Sequence, residues 1–224
     1  TDSSIQIATG HVMRCLTLAT ALRLRGHSCK FICRDLPGHM GQKILDYGFE
    51  LILLPIPNTT FTPNDEEPMH AAWAGVSWAV DAEESKRFIQ GSDWLVLDHY
   101  SFDIRWQTHV HSIGLKIMVI DDLADRPHTA DILVDQNLGR QSSDYDSLLP
   151  KNTERLIGPH YALLRKEFAD ARKISLAARA KRAGTIQNVL ISMGGVDAQN
   201  TTGAIIDVIA SQTGFQVIVV VGSS

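Results

Sequence analysis

The sequence predicts an α/β chain built on doubly wound parallel sheet. Three observations predict it. Short continuous apolar runs recur in DWLVLD (93–98), KIMVID (116–121) and ADILVD (130–135), and unbroken apolar runs fit strands covered on both faces. Segments of helical character, 77–90 and 102–113, alternate with the runs, as parallel sheets require. The runs end on Asp or on glycine, as in NVLISMGG (188–195), which is strand-to-turn chemistry.

Residues 12–25, VMRCLTLATALRLR, predict the first helix. Arg14, Thr17, Thr20 and Arg23 recur at a spacing that keeps them on one side, and the rest of the surface is apolar. Thr9 is placed to cap its start and Gly26 to end it. HSCKFICR (27–34) is a strand, PGHMGQKILDYGF (37–49) a helix and FELILLP (49–55) a strand. Residues 55–76 carry four prolines and predict a long loop, either a solvated insertion, the commoner case, or a functional cover of the cleft; Trp73 and Trp78 either anchor it, the commoner role, or line a sugar face. A charged helix spans 166–182. Then NVLISMGG, a helix over 199–211 and FQVIVVVG (215–222) form a second strand–helix–strand unit.

These elements divide into an N-terminal Rossmann-like domain at 1–165, a connecting helix at 166–185 and the start of a second Rossmann-like domain at 186–224. The helix at residue 12 should follow a strand, so an apolar strand is expected ahead of Thr1. Strand–helix–strand is too little to bury both faces of a sheet, so the second domain is expected to be incomplete in this chain.

The composition, 44% hydrophobic and 21% charged with net charge −4, is that of an ordinary globular protein. It argues against a nucleic-acid partner. No apolar run approaches about 18 residues, so no membrane span is expected. Cys15, Cys29 and Cys33 are odd in number and lack metal spacing, and predict buried thiols in a reducing cytoplasm. His109 and His111 fall on different faces of a helix, and Asp121–Asp122 lacks evident partner ligands. A metal-free site without a cofactor is expected.

Ligands of open parallel sheets bind beyond the carboxyl ends of the strands. Those ends carry Asp98-His99-Tyr100, Asp121-Asp122 and Asp135-Gln136-Asn137. A capping role is the commoner one for any single Asp there. His11 differs, because it sits at the mouth of a helix, where backbone N–H groups and the dipole attract anions. It is either a base working near neutral pH or a polar filler of the turn, and position alone weighs the two equally. SMGGVDAQNTT (192–202) offers Gly194 and Gly195 between strand and helix, which suits backbone contact with a phosphate. It is neither GxGxxG nor a P-loop, and a tight turn explains it equally well.

Five ordered segments carry a resemblance. The opening D-S-S-x-x-I-x-x-G-H (Asp2-Ser3-Ser4, Ile7, Gly10-His11), LVLDHY (95–100), IDDLADRPHTADILVDQN (120–137), IGPHYALLRKEF (157–168) and ISMGGVDAQN (191–200) resemble the UDP-2,4-diacetamido-2,4,6-trideoxy-β-L-altropyranose hydrolase family of pseudaminic acid biosynthesis. Related families are the spore-coat polysaccharide proteins and the glycosyltransferase that makes lipid II. The resemblance implies a two-domain glycosyltransferase B architecture whose second domain grips uridine diphosphate. It implies that His11 is the general base, that Gly10 approaches substrate and that Tyr100 lies near the sugar. It further implies Arg165 at the domain junction and Met193, Gly194 and Gly195 at the nucleotide. The implied reaction is metal-independent, inverting hydrolysis of a UDP-sugar at the anomeric carbon by a cytoplasmic monomer. A UDP-sugar-dependent glycosyltransferase of the same fold and a non-catalytic nucleotide-sugar-binding module remain the alternatives.

Overall fold

The structure is a computed structural model that describes residues 1–224 except 113, 182, 183, 185, 195, 196, 198, 223 and 224. The chain forms two compact units, Thr1–Leu163 and Leu164–Ser224.

In the first unit, α1 (Gly10–Arg23), β1 (Lys30–Arg34), α2 (Gly41–Asp46) and β2 (Glu50–Leu54) come first. After the long loop follow α3 (Trp78–Ile89), β3 (Trp94–Leu97), α4 (Ile104–Val110), β4 (Lys116–Ile120), β5 (Ile132–Asp135) and β6 (Glu154–Ile157). All strand pairs are parallel: β1 with β2, and β3-β4-β5-β6 in that order.

Alternation along the strands makes this unit doubly wound. Ile117 and Val119 of β4 and Leu133 of β5 join a core with Ala82, Trp106 and Val110 of α3 and α4. Their neighbours Ile120 and Val134 join a second core with Val12 and Leu16 of α1 and Ile44 of α2. Helices therefore cover both sheet faces, which is why the strands are apolar at successive positions.

The sheet is divided. Among the described residues β1 and β3 each have one edge without a strand partner, and a cavity of about 720 Å³ lies between them. Phe31 and Cys33 of β1, Leu95 and Leu97 of β3, Leu18 of α1 and Phe88 of α3 line it. At its end the Thr1 amino nitrogen donates to the Ile32 carbonyl at 3.2 Å, as a ladder bond would.

The second unit contains α5 (Lys166–Ala180), β7 (Asn188–Ser192), α6 (Thr201–Ile209) and β8 (Gln216–Val220). β7 and β8 pair in parallel. Ile191 is its buried apolar residue among those described.

Three local readings are corrected. Helix α1 begins two residues before the expected start, so Gly10 and His11 lie inside its first turn. Thr9 is the residue before the helix, yet its side chain makes no cap bond, because its ψ of −7° is helical rather than extended. β6 was not expected from ERLI. It is an edge strand with an exposed Glu154, so it lacks the apolar run that marks the inner strands.

Candidate functional site

The first motif, Asp2-Ser3-Ser4, stitches the rim of the sheet together. Asp2 accepts from the Arg34 backbone N–H at 2.7 Å and faces His99 Nε2 at 3.1 Å. Ser3 Oγ accepts from Met40 N–H. Ser4 Oγ accepts from the N–H groups of Gln6 and Ile7, closing a turn in which Ala8 adopts φ 64°. A non-glycine residue in that region is strained and is held by its surroundings. The turn delivers the chain to α1 with His11 in place.

His11 and Asp98, 87 residues apart, meet at 2.5 Å through Nδ1 and Oδ1, and both are buried. Arg14, one helical turn on, reaches the same carboxylate twice, Nε to Oδ2 at 2.6 Å and Nη2 to Oδ1 at 2.7 Å. Its Nη1 donates to Asp122 at 3.0 Å. Burial alone would raise the Asp98 carboxyl, but the bonds from Arg14 and His11 outweigh it and hold it down at about 2. Burial would likewise lower Arg14, and the two carboxylates instead push it above its ordinary value.

An ionised Asp98 accepts and cannot donate, so the His11 proton sits on Nδ1. Nε2 then carries the free lone pair, and no described residue bonds it. Two carboxylates, Asp98 and Asp122, face one guanidinium.

Tyr100 completes the constellation. Its ring meets that of His11 edge-on at 4.5 Å between centroids, and its hydroxyl donates to Asp122. Burial, followed by that carboxylate, pushes the Tyr100 phenol above its usual range, so it stays a neutral donor. Asp122 is steadied through its carbonyl, which accepts from Arg140 at 2.7 Å and Asn137 at 3.3 Å.

The remaining strand-end acids serve the fold. Asp121 pairs with Arg126 at 2.9 Å and accepts from Ala124 N–H. Asp135 accepts from Arg140 at 2.7 Å and Tyr145 at 2.9 Å. Gln136 accepts from Leu163 N–H. Among the described residues no group of three or more His, Cys, Asp or Glu is arranged to hold a metal ion.

Gly10 occupies the first turn of α1 with ordinary helical backbone, and a Cβ built there meets no atom within 4 Å. The fold does not demand glycine at this position. The open space over it, beside backbone N–H groups that no side chain caps, is where an anionic ligand gains most.

The structure thus brings Gly10, His11 and Tyr100 together in the first unit. Arg165, Met193 and Gly194 belong to the second. Arg165 precedes α5 with its guanidinium 5.4 Å from the Phe168 ring. Met193 is 39% exposed, and Gly194 has φ 82°, which favours glycine. Gly195 lies outside the described residues. Asp197 takes the N–H groups of Thr201 and Thr202, and Asn200 that of Gly203. The start of α6 is therefore capped from within.

Comparison with known proteins bears on this constellation. The chain is 28% identical over 200 residues to UDP-2,4-diacetamido-2,4,6-trideoxy-β-L-altropyranose hydrolase of Campylobacter jejuni, covering 89% of this chain. The chain is similar to a nucleotide-sugar hydrolase. That bears out the resemblance carried by the five motifs. An uncharacterised protein of Methanocaldococcus jannaschii is 24% identical over 230 residues, 99% of this chain. The chain spans 60% of the length of the hydrolase and 41% of that of the archaeal protein. Its fold matches the crystal structure of Acinetobacter baumannii MurG with a TM-score of 0.52 at 11% identity, over 96% of this chain and 65% of that one. The fold is of the glycosyltransferase B type. No family model matches the chain.

The relation to the hydrolase leaves Arg14, Asp98 and Asp122 for the structure to find. In the sequence Arg14 falls on the polar side of α1, Asp98 is one of several strand-end acids, and the pair Asp121–Asp122 lacks evident partner ligands. One signal was available: Asp98 ends the strand that carries Tyr100 two residues later, on the same rim as His11.

Proposed function

We propose that this chain carries the catalytic half of a metal-independent, inverting hydrolase of a UDP-linked diacetamido-trideoxy sugar, acting in pseudaminic acid biosynthesis. The observation that carries the reading is the Asp98-held His11, its Nε2 lone pair free at the uncapped mouth of α1.

Nε2 accepts a proton from water as the water oxygen attacks the anomeric carbon. The anomeric C–O bond breaks, and UDP leaves with the bonding pair. Asp98 fixes the tautomer and balances the imidazolium, and Arg14 keeps Asp98 ionised. A positioned base of this kind contributes about 10²–10⁴-fold. A single displacement inverts the anomeric centre. The backbone N–H groups around Gly10 are suited to the developing phosphate charge. Arg165, Met193, Gly194 and Gly195 are assigned to the nucleotide. Asp98 and Asp122 are engaged by Arg14, Asp121 by Arg126 and Asp135 by Arg140, so the rim offers a base and donors rather than a metal cage.

Incubating the full-length protein with a panel of UDP-amino sugars, followed by NMR, tests the reading. Free sugar of inverted configuration is expected from water alone. A product that forms only with an added acceptor favours a glycosyltransferase. Sugar nucleotide that binds and is never cleaved favours a binding module.

A further inference from the structure

We propose that Trp73 and His70, carried by the long loop, form with Tyr100 an aromatic wall that stacks on the C–H face of the sugar presented to His11. This rests on the reading of the site as a nucleotide-sugar hydrolase.

The loop is built to hold these rings in place. Arg34 Nη1 donates to the Pro55 carbonyl at 2.6 Å, Arg105 reaches Glu67 at 3.4 Å, and Ser101 Oγ donates to the His70 carbonyl at 2.7 Å. Ser101 directly follows Tyr100, so the last bond ties His70 to the turn that carries the site. The packing that anchors the segment comes from Ala71, Ala74 and Val76, each at most 4% exposed. Trp73 is not among those buried residues. It is half-buried, and it lies on the other rings rather than in the core.

Ring centroids run His70–Trp73 4.3 Å, His70–Tyr100 5.7 Å, Trp73–Tyr100 6.0 Å and Tyr100–His11 4.5 Å. A run of neighbouring rings therefore reaches from Trp73 and His70 through Tyr100 to the proposed base. Aromatic faces are electron-rich, and the C–H bonds of a sugar ring present the complementary edge. A sugar lacking hydroxyls gains most from such a wall, because fewer polar groups lose water there. The loop is thus a substrate-facing element, and Trp73 a specificity residue rather than an anchor.

Two measurements on the full-length protein test the wall. Tryptophan emission is titrated with UDP-2,4-diacetamido-2,4,6-trideoxy-β-L-altropyranose and, separately, with UDP. The sugar nucleotide is expected to quench the wild-type protein, UDP alone to leave the Trp73 component unchanged, and Trp73→Phe to lose the sugar-dependent quench. In turnover, Trp73→Ala is expected to raise KM about 3–10-fold, the worth of one aromatic contact, with kcat nearly unchanged. Sugar-dependent quenching retained in Trp73→Phe, or an unaltered KM in Trp73→Ala, overturns the wall. Quenching without turnover in the wild type keeps the wall and overturns the hydrolase reading.

Discussion

At the scale of single residues, the proposed chemistry depends on one proton staying on Nδ1 of His11. Asp98→Asn keeps the shape of the side chain but removes the charge that fixes the tautomer and balances the imidazolium. It is expected to lower kcat about 10²–10⁴-fold with little change in KM. Steady-state kinetics on the full-length variant check this, and an equal loss from KM alone would assign Asp98 to substrate binding. His11 was legible as a candidate because it stands at a helix mouth. Asp98 and Arg14 were not legible as its partners. The first lies 87 residues away, and the second falls on the polar stripe of α1, where solvent is the default neighbour.

At the scale of elements, β3, β4 and β5 were legible because burial on both faces requires continuous apolar runs. β6 was not, since an edge strand needs no such run. The divided sheet is the element-scale feature with the clearest consequence. Among the described residues β1 and β3 each keep one edge without a strand partner, and a cavity lies between them. Two parallel edges that lack partners expose backbone groups and apolar side chains together. Joining a five-residue alternating Val/Ile segment directly ahead of Thr1 is therefore expected to raise Tm by about 2–4 °C for each kcal/mol gained in a unit that runs Thr1–Leu163. It should also slow amide exchange in β1 and β3. Calorimetry and hydrogen exchange on the chain with and without the segment check this; unchanged exchange at both edges would contradict it.

At the scale of the whole molecule, the stability of the first unit carries a built-in pH dependence. His128 is buried, and its Nδ1 accepts from Gln107 Nε2 at 2.7 Å. The Gln107 amide is oriented by its carbonyl, which accepts from Thr129 N–H at 2.7 Å. A second proton on His128 would set N–H against N–H. Burial first, and then the nearby Arg126 charge, lower its pKa from 6.5 to about 4. The unfolded chain binds this proton more readily than the folded one. Its contribution is thus full above pH 6.5, falls as pH drops from 6.5 toward 4, and falls no further below that. The span is on the order of 3 kcal/mol. Denaturant unfolding at several pH values is expected to show this slope in the wild type and to lose it in His128→Gln; an equal slope in both would place the pH dependence elsewhere.

The central claim joins all three scales: a turn, a helix mouth and a strand end converge on one base that activates water at the anomeric carbon. Hydrolysis of UDP-2,4-diacetamido-2,4,6-trideoxy-β-L-altropyranose in ¹⁸O-water by the full-length protein tests it most directly, with His11→Ala run in parallel. The label is expected on C1 of the free, inverted sugar and absent from UDP, with turnover lost in His11→Ala. Label in the UDP phosphate, or undiminished turnover without His11, would contradict it.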